Sequence, residues 1–444
     1  MYSINWDTQT THTAHSFIAD MGDLHIVLKD RKNDWQLYMG IRVHSKDGIG
    51  SSAHYGGSDF EGWRMKKILI LCIAAVLSAL SFLNGQEKAQ FDKNFREAKV
   101  GKLEVHYYNA LNKPFELNGF PWHRADGELN RLPETANKKN INGYARYAAP
   151  HTSGGTVRFR TDSPYMTIRA SYRAFCDMNH MPRSGSGGFD LYMVGDDGKE
   201  VYLSSVRPGP GGKDLELRFN NVTGGKVRDY TVYMPLYSGV TAMEIGLKPG
   251  SKLLEPCPQK ITKPIVFYGS SITHGGCASR PANSYTTMLC RAVDAPQINL
   301  GFSGGAKGET VMAEAIAKLD MAVFVYDYDY NAPNAAHLLK THEPFFQIIR
   351  KAQPDLPVII LSRCSQMTDE RRNAVKRTYD NAVKAGDKKV WFIDGSELFG
   401  DAGQNLCTVD GCHPNDLGFY MMYKRILPVL KEALENSPEQ KRGF

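Results

Sequence analysis

A serine that attacks an acyl carbon needs three things: an exposed hydroxyl, a base beside it and donors for the developing oxyanion. The stretch YGSSITHGG, residues 268–276, offers the first. It follows the apolar run KPIVF, and its two serines, Ser270 and Ser271, sit between glycines at the end of what reads as a buried strand. A serine in a strand-to-helix turn has its hydroxyl at the sheet rim, and the free N–H groups of the following helix start can stabilise an oxyanion. The base has a candidate in DGCHPND, residues 410–416. There His413 could take the serine proton and Asp410 could hold the imidazole in the right tautomer. Each stretch has a plainer reading, an ordinary turn and a helix start with proline inside it. Their joint presence, at the first and after the last strand of one α/β region, favours chemistry.

The elements that must position these residues are legible beyond residue 260. Continuous apolar runs fall at 265–268, 297–300, 321–326, 357–361 and 390–393, with helical stretches between them at about 283–294, 309–319, 334–352, 369–386 and 415–436. Uninterrupted apolarity marks strands covered on both faces, and the alternation predicts a doubly wound parallel sheet. Ligands bind such sheets at the carboxyl ends of the strands, where Ser271 falls. From about 95 to 258 the texture is different. Short runs such as TVRFRT, FDLYMV and YTVYM alternate apolar with polar residues and are separated by GDDGKE, PGPGGKD and TGGKVRD. They predict an antiparallel β-sandwich, joined to the α/β domain by a linker over 249–260.

With those stretches in order, residues 262–437 resemble an SGNH (GDSL-type) hydrolase domain, which implies a doubly wound, flavodoxin-like parallel sheet preceded by the antiparallel β-sandwich. Its first block, in the Gly-Ser-Ser form, matches Gly269-Ser270-Ser271 and implies Ser271 as nucleophile, with its own N–H as an oxyanion donor. NLGFSG, residues 299–304, matches the second block and implies Gly304 N–H as another donor. DYDYN, residues 327–331, puts Asn331 at the third, with Tyr330 where related sequences carry proline. Asp410 and His413 match the last block. GFDLY, residues 188–192, resembles the Gly-x-Asp-Leu-Tyr motif of a subfamily whose catalytic domain follows a β-sandwich, and Asp190 and Tyr192 read as structural or docking residues. His274, Arg280 and Tyr330 are candidates to line the substrate pocket. The resemblance implies an exported esterase that removes small acyl groups, acetyl foremost, from carbohydrate, with no metal or organic cofactor. An esterase for lipids or small esters is the alternative within the family, and a non-catalytic glycan-binding protein is the alternative outside it.

Composition sets the outer bounds. The chain has 444 residues, 42% apolar and 23% charged, with a net charge of +7 and no Lys/Arg block of the kind that binds nucleic acid. MKKILILCIAAVLSALSFLNGQ, residues 65–86, has the basic start, short apolar run and polar exit of a secretory signal peptide and is short for a membrane span. Residues 1–64 then read as an extension ahead of the true start. The expected location is periplasmic or extracellular, with no stable membrane insertion once the signal is removed. Seven cysteines follow the signal, at spacings that match no common zinc site. Cys407 and Cys412 are near enough in sequence to pair, which sequence leaves open.

Overall fold

The five uninterrupted apolar runs form one parallel sheet in the computed structural model: β1 (Ile265–Gly269), β2 (Gln297–Gly301), β3 (Val323–Asp327), β4 (Val358–Leu361) and β5 (Val390–Ile393). Their order is β2-β1-β3-β4-β5, and every neighbouring pair is parallel. All residues of β1 to β4 are buried, as continuous apolarity requires. Alternate side chains enter opposite cores. Val266 and Tyr268 join one cluster with Leu300, Tyr326 and Phe345, whereas Ile265 and Phe267 join another with Val325, Ile359 and Phe419. The helices are α1 (Ser271–His274), α2 (Tyr285–Val293), α3 (Thr310–Ile316), α4 (Ala335–Ala352), α5 (Asp369–Lys384), α6 (Gly403–Cys407) and α7 (Asp416–Glu435). Asn334, Thr368 and Asn415 cap α4, α5 and α7, each accepting a first-turn N–H. This is the doubly wound, flavodoxin-like arrangement, and its switch point lies between β1 and β3.

Ahead of it, two antiparallel sheets face each other across a core of Val157, Phe159, Ile168, Leu191, Val232 and Ile245. One sheet runs Leu215–Asn220, Tyr165–Ala174, Gly239–Leu247, Leu103–Asn109, Arg96–Val100. The other runs Glu200–Ser205, Asp190–Val194, Arg228–Tyr233, Thr156–Thr161, Leu253–Leu254, with Glu116–Asn118 also on Thr156–Thr161. The sequence pattern missed Leu103–Asn109 and Glu116–Asn118. The pair Leu253–Leu254 adds a strand inside the expected linker.

Between these strands the chain makes a long excursion. Leu132, Ile141, Ala145, Ala148 and Ala149 lie in the same apolar cluster as Tyr268 and Leu300 of the parallel sheet. A stretch that sequence counted with the sandwich is thus packed on the parallel-sheet domain. It is too irregular to show a period, so nothing in it announced which core it joins.

The chain divides into two compact units, Met1–Gln90 and Phe91–Phe444. Residues 102–123, 128–212 and 225–437 are described in full. Elsewhere the structure describes the backbone of Arg96–Val100, Leu215–Asn220 and five strands of the first unit. Those five, Trp6–Thr11, Ala14–Met21, Leu24–Arg31, Asp34–Arg42 and Ser52–Tyr55, form an antiparallel meander in sequence order. The sequence reading found little periodicity at this end of the chain. The expected signal segment, 65–86, lies outside the described residues. Among those described, no helix is long and apolar enough to cross a membrane.

Candidate active site

The turn after β1 is built so that Ser271 can only point out of the sheet. Gly269 ends the strand where a Cβ would collide with Thr273 Oγ1 and the Asp327 carbonyl. Ser270 is the N-cap of α1, its hydroxyl accepting the Ile272 N–H at 3.2 Å. Ser271 is the first helical residue, so its own N–H has no partner within the helix. Gly275, at φ 100°, closes the one-turn helix. The two serines therefore divide: Ser270 shapes the turn and Ser271 presents its hydroxyl.

The loop between α6 and α7 supplies the base. Asp410 Oδ1 accepts the backbone N–H groups of Cys412 (2.9 Å) and His413 (2.7 Å), which folds the loop back on itself. Asp410 Oδ2 is 2.7 Å from His413 Nδ1, and His413 Nε2 is 2.9 Å from Ser271 Oγ. A carboxylate on Nδ1 keeps the proton there and leaves Nε2 as the acceptor for the serine. Burial pushes the Asp410 carboxyl up, but the hydrogen bonds from His413 and Cys412 outweigh it and hold the group at about 2. It is therefore an anion at neutral pH. Asp416, at the start of α7, accepts from Ser279 N (2.8 Å), Ser279 Oγ and Asn283 Nδ2 (2.9 Å), tying the histidine loop to the nucleophile loop.

Two further donors were expected. Gly304 lies in the turn after β2 with φ 68°, a conformation that favours glycine, and no backbone hydrogen bond among the described residues uses its N–H. The Asn331 side chain has a buried Oδ1 with no hydrogen-bond partner among the described residues. That atom is an acceptor, so it marks an unfilled polar spot at the third block without itself being the donor that an oxyanion needs.

His274, expected to face substrate, is fully enclosed at 0% exposure, its ring stacked on Tyr237 at 4.1 Å. It sits one turn after Ser271 on the inward side of α1, so the pocket role is corrected. Arg280 is taken up by the domain junction. Its Nη1 donates to Asp190 Oδ2 (3.2 Å) and to Tyr192 Oη (2.8 Å), and Asp190 Oδ2 also accepts the Ala282 N–H at 2.8 Å. The Gly-x-Asp-Leu-Tyr motif thus serves as the lock between sandwich and hydrolase. Tyr330 is also occupied. It lies under the Arg363 guanidinium at 3.9 Å, and its hydroxyl bonds with Ser365, which in turn donates to the Cys412 carbonyl at 3.1 Å. It braces the His413 loop. Cys407 and Cys412 are separate thiols.

Sequence reasoning missed the residues that the sandwich half sends to the site. Tyr237 Oη lies 3.3 Å from the Ser271 carbonyl. Arg131, wholly buried, donates to the carbonyls of Asn299 (3.0 Å) and Gly301 (2.7 Å) at the end of β2. Tyr144 lies against Gly304, and Tyr144 and Tyr147 are each 64% exposed. His180 brings its ring within 6.1 Å of His413. None belongs to a motif or a periodic element, so no local signal could have found them. A cavity of about 840 Å³ between the halves, lined by Arg158, Glu200, Arg291 and Gln297 among others, includes none of Ser271, Asp410 and His413. Chemistry, not volume, locates the site.

Residues 262–431 match the GDSL-like lipase/acylhydrolase family, and residues 105–253 match the N-terminal region of SGNH-hydrolase-type esterases, called GxDLY. No curated protein matches the chain significantly. Among solved structures, a putative GDSL-like lipase from Bacteroides ovatus ATCC 8483 is similar at 26% identity with a TM-score of 0.67, covering 74% of this chain and 98% of that one. The salicylyl-acyltransferase SsfX3 from a tetracycline biosynthetic pathway follows at 18% and 0.62, covering 74% and 99%. An acetyl xylan esterase, Est2A, from the rumen bacterium Butyrivibrio proteoclasticus matches at 14% and 0.50, covering 75% and 99%. At such identities the last two bear on the fold alone.

Proposed function

The chain belongs to the SGNH (GDSL-type) hydrolase family, and on that premise we propose that it is an exported serine esterase removing small acyl groups, acetyl foremost, from carbohydrate. The observation that carries the reading is the continuous hydrogen-bonded chain Asp410–His413–Ser271, at 2.7 and 2.9 Å. Ser271 Oγ attacks the ester carbonyl while His413 Nε2 takes its proton. Asp410 stabilises the imidazolium so formed. The carbonyl oxygen becomes an anion received by the N–H groups of Ser271 and Gly304 and by Asn331 Nδ2, a set in which each donor is worth about 3 kcal/mol. Collapse expels the alcohol, which takes the proton from His413. Water, deprotonated by the same histidine, then hydrolyses the acyl-enzyme.

The rest of the reading draws on three further features. A nucleophile only 8% exposed favours a small acyl group over a long chain. Two exposed tyrosines, one of them against Gly304, give a sugar ring an aromatic face beside the acyl site. The signal-like composition of residues 65–86 supports export. The test is acetate release from a panel of acetylated polysaccharides by the wild type and by Ser271→Ala. Release that depends on Ser271 is the expected result, and release unchanged in the variant would sink the mechanism.

A further inference from the structure

We propose that His274 is a positioning residue: as a neutral imidazole protonated on Nε2, it holds the Ser303 N–H on Nδ1 and so sets the neighbouring Gly304 N–H for the oxyanion. The proposal rests on the esterase reading, and within it on Gly304 as a donor.

The Ser303 contact decides the tautomer, and the Leu236 contact, shorter than that of Arg131 Nη2 to the same nitrogen, agrees with it. His274 Nε2 lies 2.7 Å from the Leu236 carbonyl oxygen, which can only accept, so Nε2 carries the proton. His274 Nδ1 lies 3.3 Å from the Ser303 nitrogen, whose N–H can only donate, so Nδ1 is bare. A doubly protonated ring could not accept from Ser303 at all.

The surroundings keep that ring neutral. Burial first, and then the Arg131 guanidinium and His151, hold its pKa well below the ordinary histidine value. Arg131 Nη2 lies 3.3 Å from Nε2, close enough to oppose a second positive charge. The guanidinium itself is held by the carbonyls of Ala148, His151, Asn299 and Gly301. Tyr237 stacks on the ring with planes 6° apart, and Ser153 Oγ donates to the His274 carbonyl at 2.7 Å. The ring has one orientation available.

The loop is gripped where it leaves β2. Arg131 takes the carbonyls of Asn299 and Gly301, and Phe302 N–H donates to the Gly269 carbonyl at 2.9 Å. His274 takes the next N–H, that of Ser303. After these contacts the chain turns into the left-handed region at Gly304, whose N–H no backbone bond among the described residues uses. The Ser303 N–H shares its peptide unit with the Phe302 carbonyl, which accepts from Gly305 (2.8 Å) and Ala306 (3.2 Å), so His274 holds the amide side of the unit that precedes the one carrying the Gly304 N–H; releasing that side lets the unit tilt, and the donor's direction with it. The residue one helical turn after the nucleophile therefore orients a donor that arrives from the next strand.

The experiment compares His274→Gln with His274→Asn on p-nitrophenyl acetate. Glutamine puts its amide near the Nε2 position and loses the acceptor for Ser303. Asparagine puts an oxygen near Nδ1 and keeps it. Expected is a kcat loss of about 100-fold in His274→Gln at nearly unchanged KM, the signature of a lost transition-state donor, with His274→Asn recovering most of the rate. An imidazole with a bare Nδ1 and protonated Nε2, unchanged between about pH 5 and pH 8 in nitrogen–proton correlation spectra and absent from His274→Gln, is the independent readout. Wild-type kcat in His274→Gln, equal losses in the two variants, or a signal that titrates in this range would overturn the role. A wild type whose Ser271 neither turns over p-nitrophenyl acetate nor reacts with a fluorophosphonate overturns the esterase reading itself, and this role with it.

Discussion

The parallel sheet and the sandwich meet at one site but bring different things to it. The sheet contributes the groups proposed to react, each at a strand's carboxyl end or in the loop before the last helix: Ser271, Gly304, Asn331, Asp410 and His413. The chain ahead of the sheet, sandwich and 128–151 excursion together, contributes support and a rim. Arg131 holds carbonyls of β2, Asp190 holds Arg280, Tyr237 touches the Ser271 backbone and Tyr144 lies beside Gly304. The difference teaches where the two kinds of residue can be found. A reacting group must sit at a precise place on its own element and so carries a local sequence signature. A support needs only to reach, and can come from any stretch that folds over.

Four substitutions test that division. The largest effect belongs to Asp410→Asn, which leaves the loop but favours the wrong imidazole tautomer. The expected loss is about 10⁴-fold in kcat for p-nitrophenyl acetate, with little change in Tm. An activity near wild type would remove Asp410 from the chemistry.

Asp190→Ala should do the opposite. It strands Arg280 at the junction by removing a fully buried partner, so stability should fall by about 3–5 kcal/mol in urea unfolding. A variant as stable as the wild type would mean that the motif does not lock the two halves together.

Asp327 separates burial from chemistry inside the hydrolase half. Its Oδ2 accepts from Thr273 Oγ1 (2.7 Å) and from Tyr285 Oη (2.8 Å). Burial raises its pKa to about 7 against those hydrogen bonds, whereas the unfolded chain titrates at about 3.9. Between these values the folded state binds more protons than the unfolded one, so this carboxyl makes stability fall as pH rises through the window. Asp327→Asn, which keeps an acceptor without the charge, should flatten that decline and gain about 2 kcal/mol at pH ~8 relative to pH ~5. An unchanged pH slope would show that the proton is not there.

The smallest effect is expected at the rim. Tyr144→Ala should raise KM for an acetylated oligosaccharide about fivefold, ~1 kcal/mol, and leave p-nitrophenyl acetate hydrolysis unaltered. Equal changes for both substrates would assign the ring to packing on the Gly304 turn.

Much of this molecule could be read from the chain alone, for a physical reason. A strand covered on both faces must be apolar throughout, so the five strands of the sheet and their order along the chain stand out in the composition of 265–393. A nucleophile turn needs Gly269 for clearance and Ser270 as a cap, and a one-loop Asp–His pair needs the close spacing of Asp410 and His413, so these too were visible. The fate of residues 128–151 was not, because it depends on contacts between segments that share no periodicity. His274 shows the limit most clearly. Its place after the nucleophile suggested a pocket residue, and the sequence around it is equally compatible with either face of α1. Only the packing of Tyr237, Arg131 and Leu236 around the ring decided that it points inward, because burial is a property of what a side chain meets and not of the side chain itself.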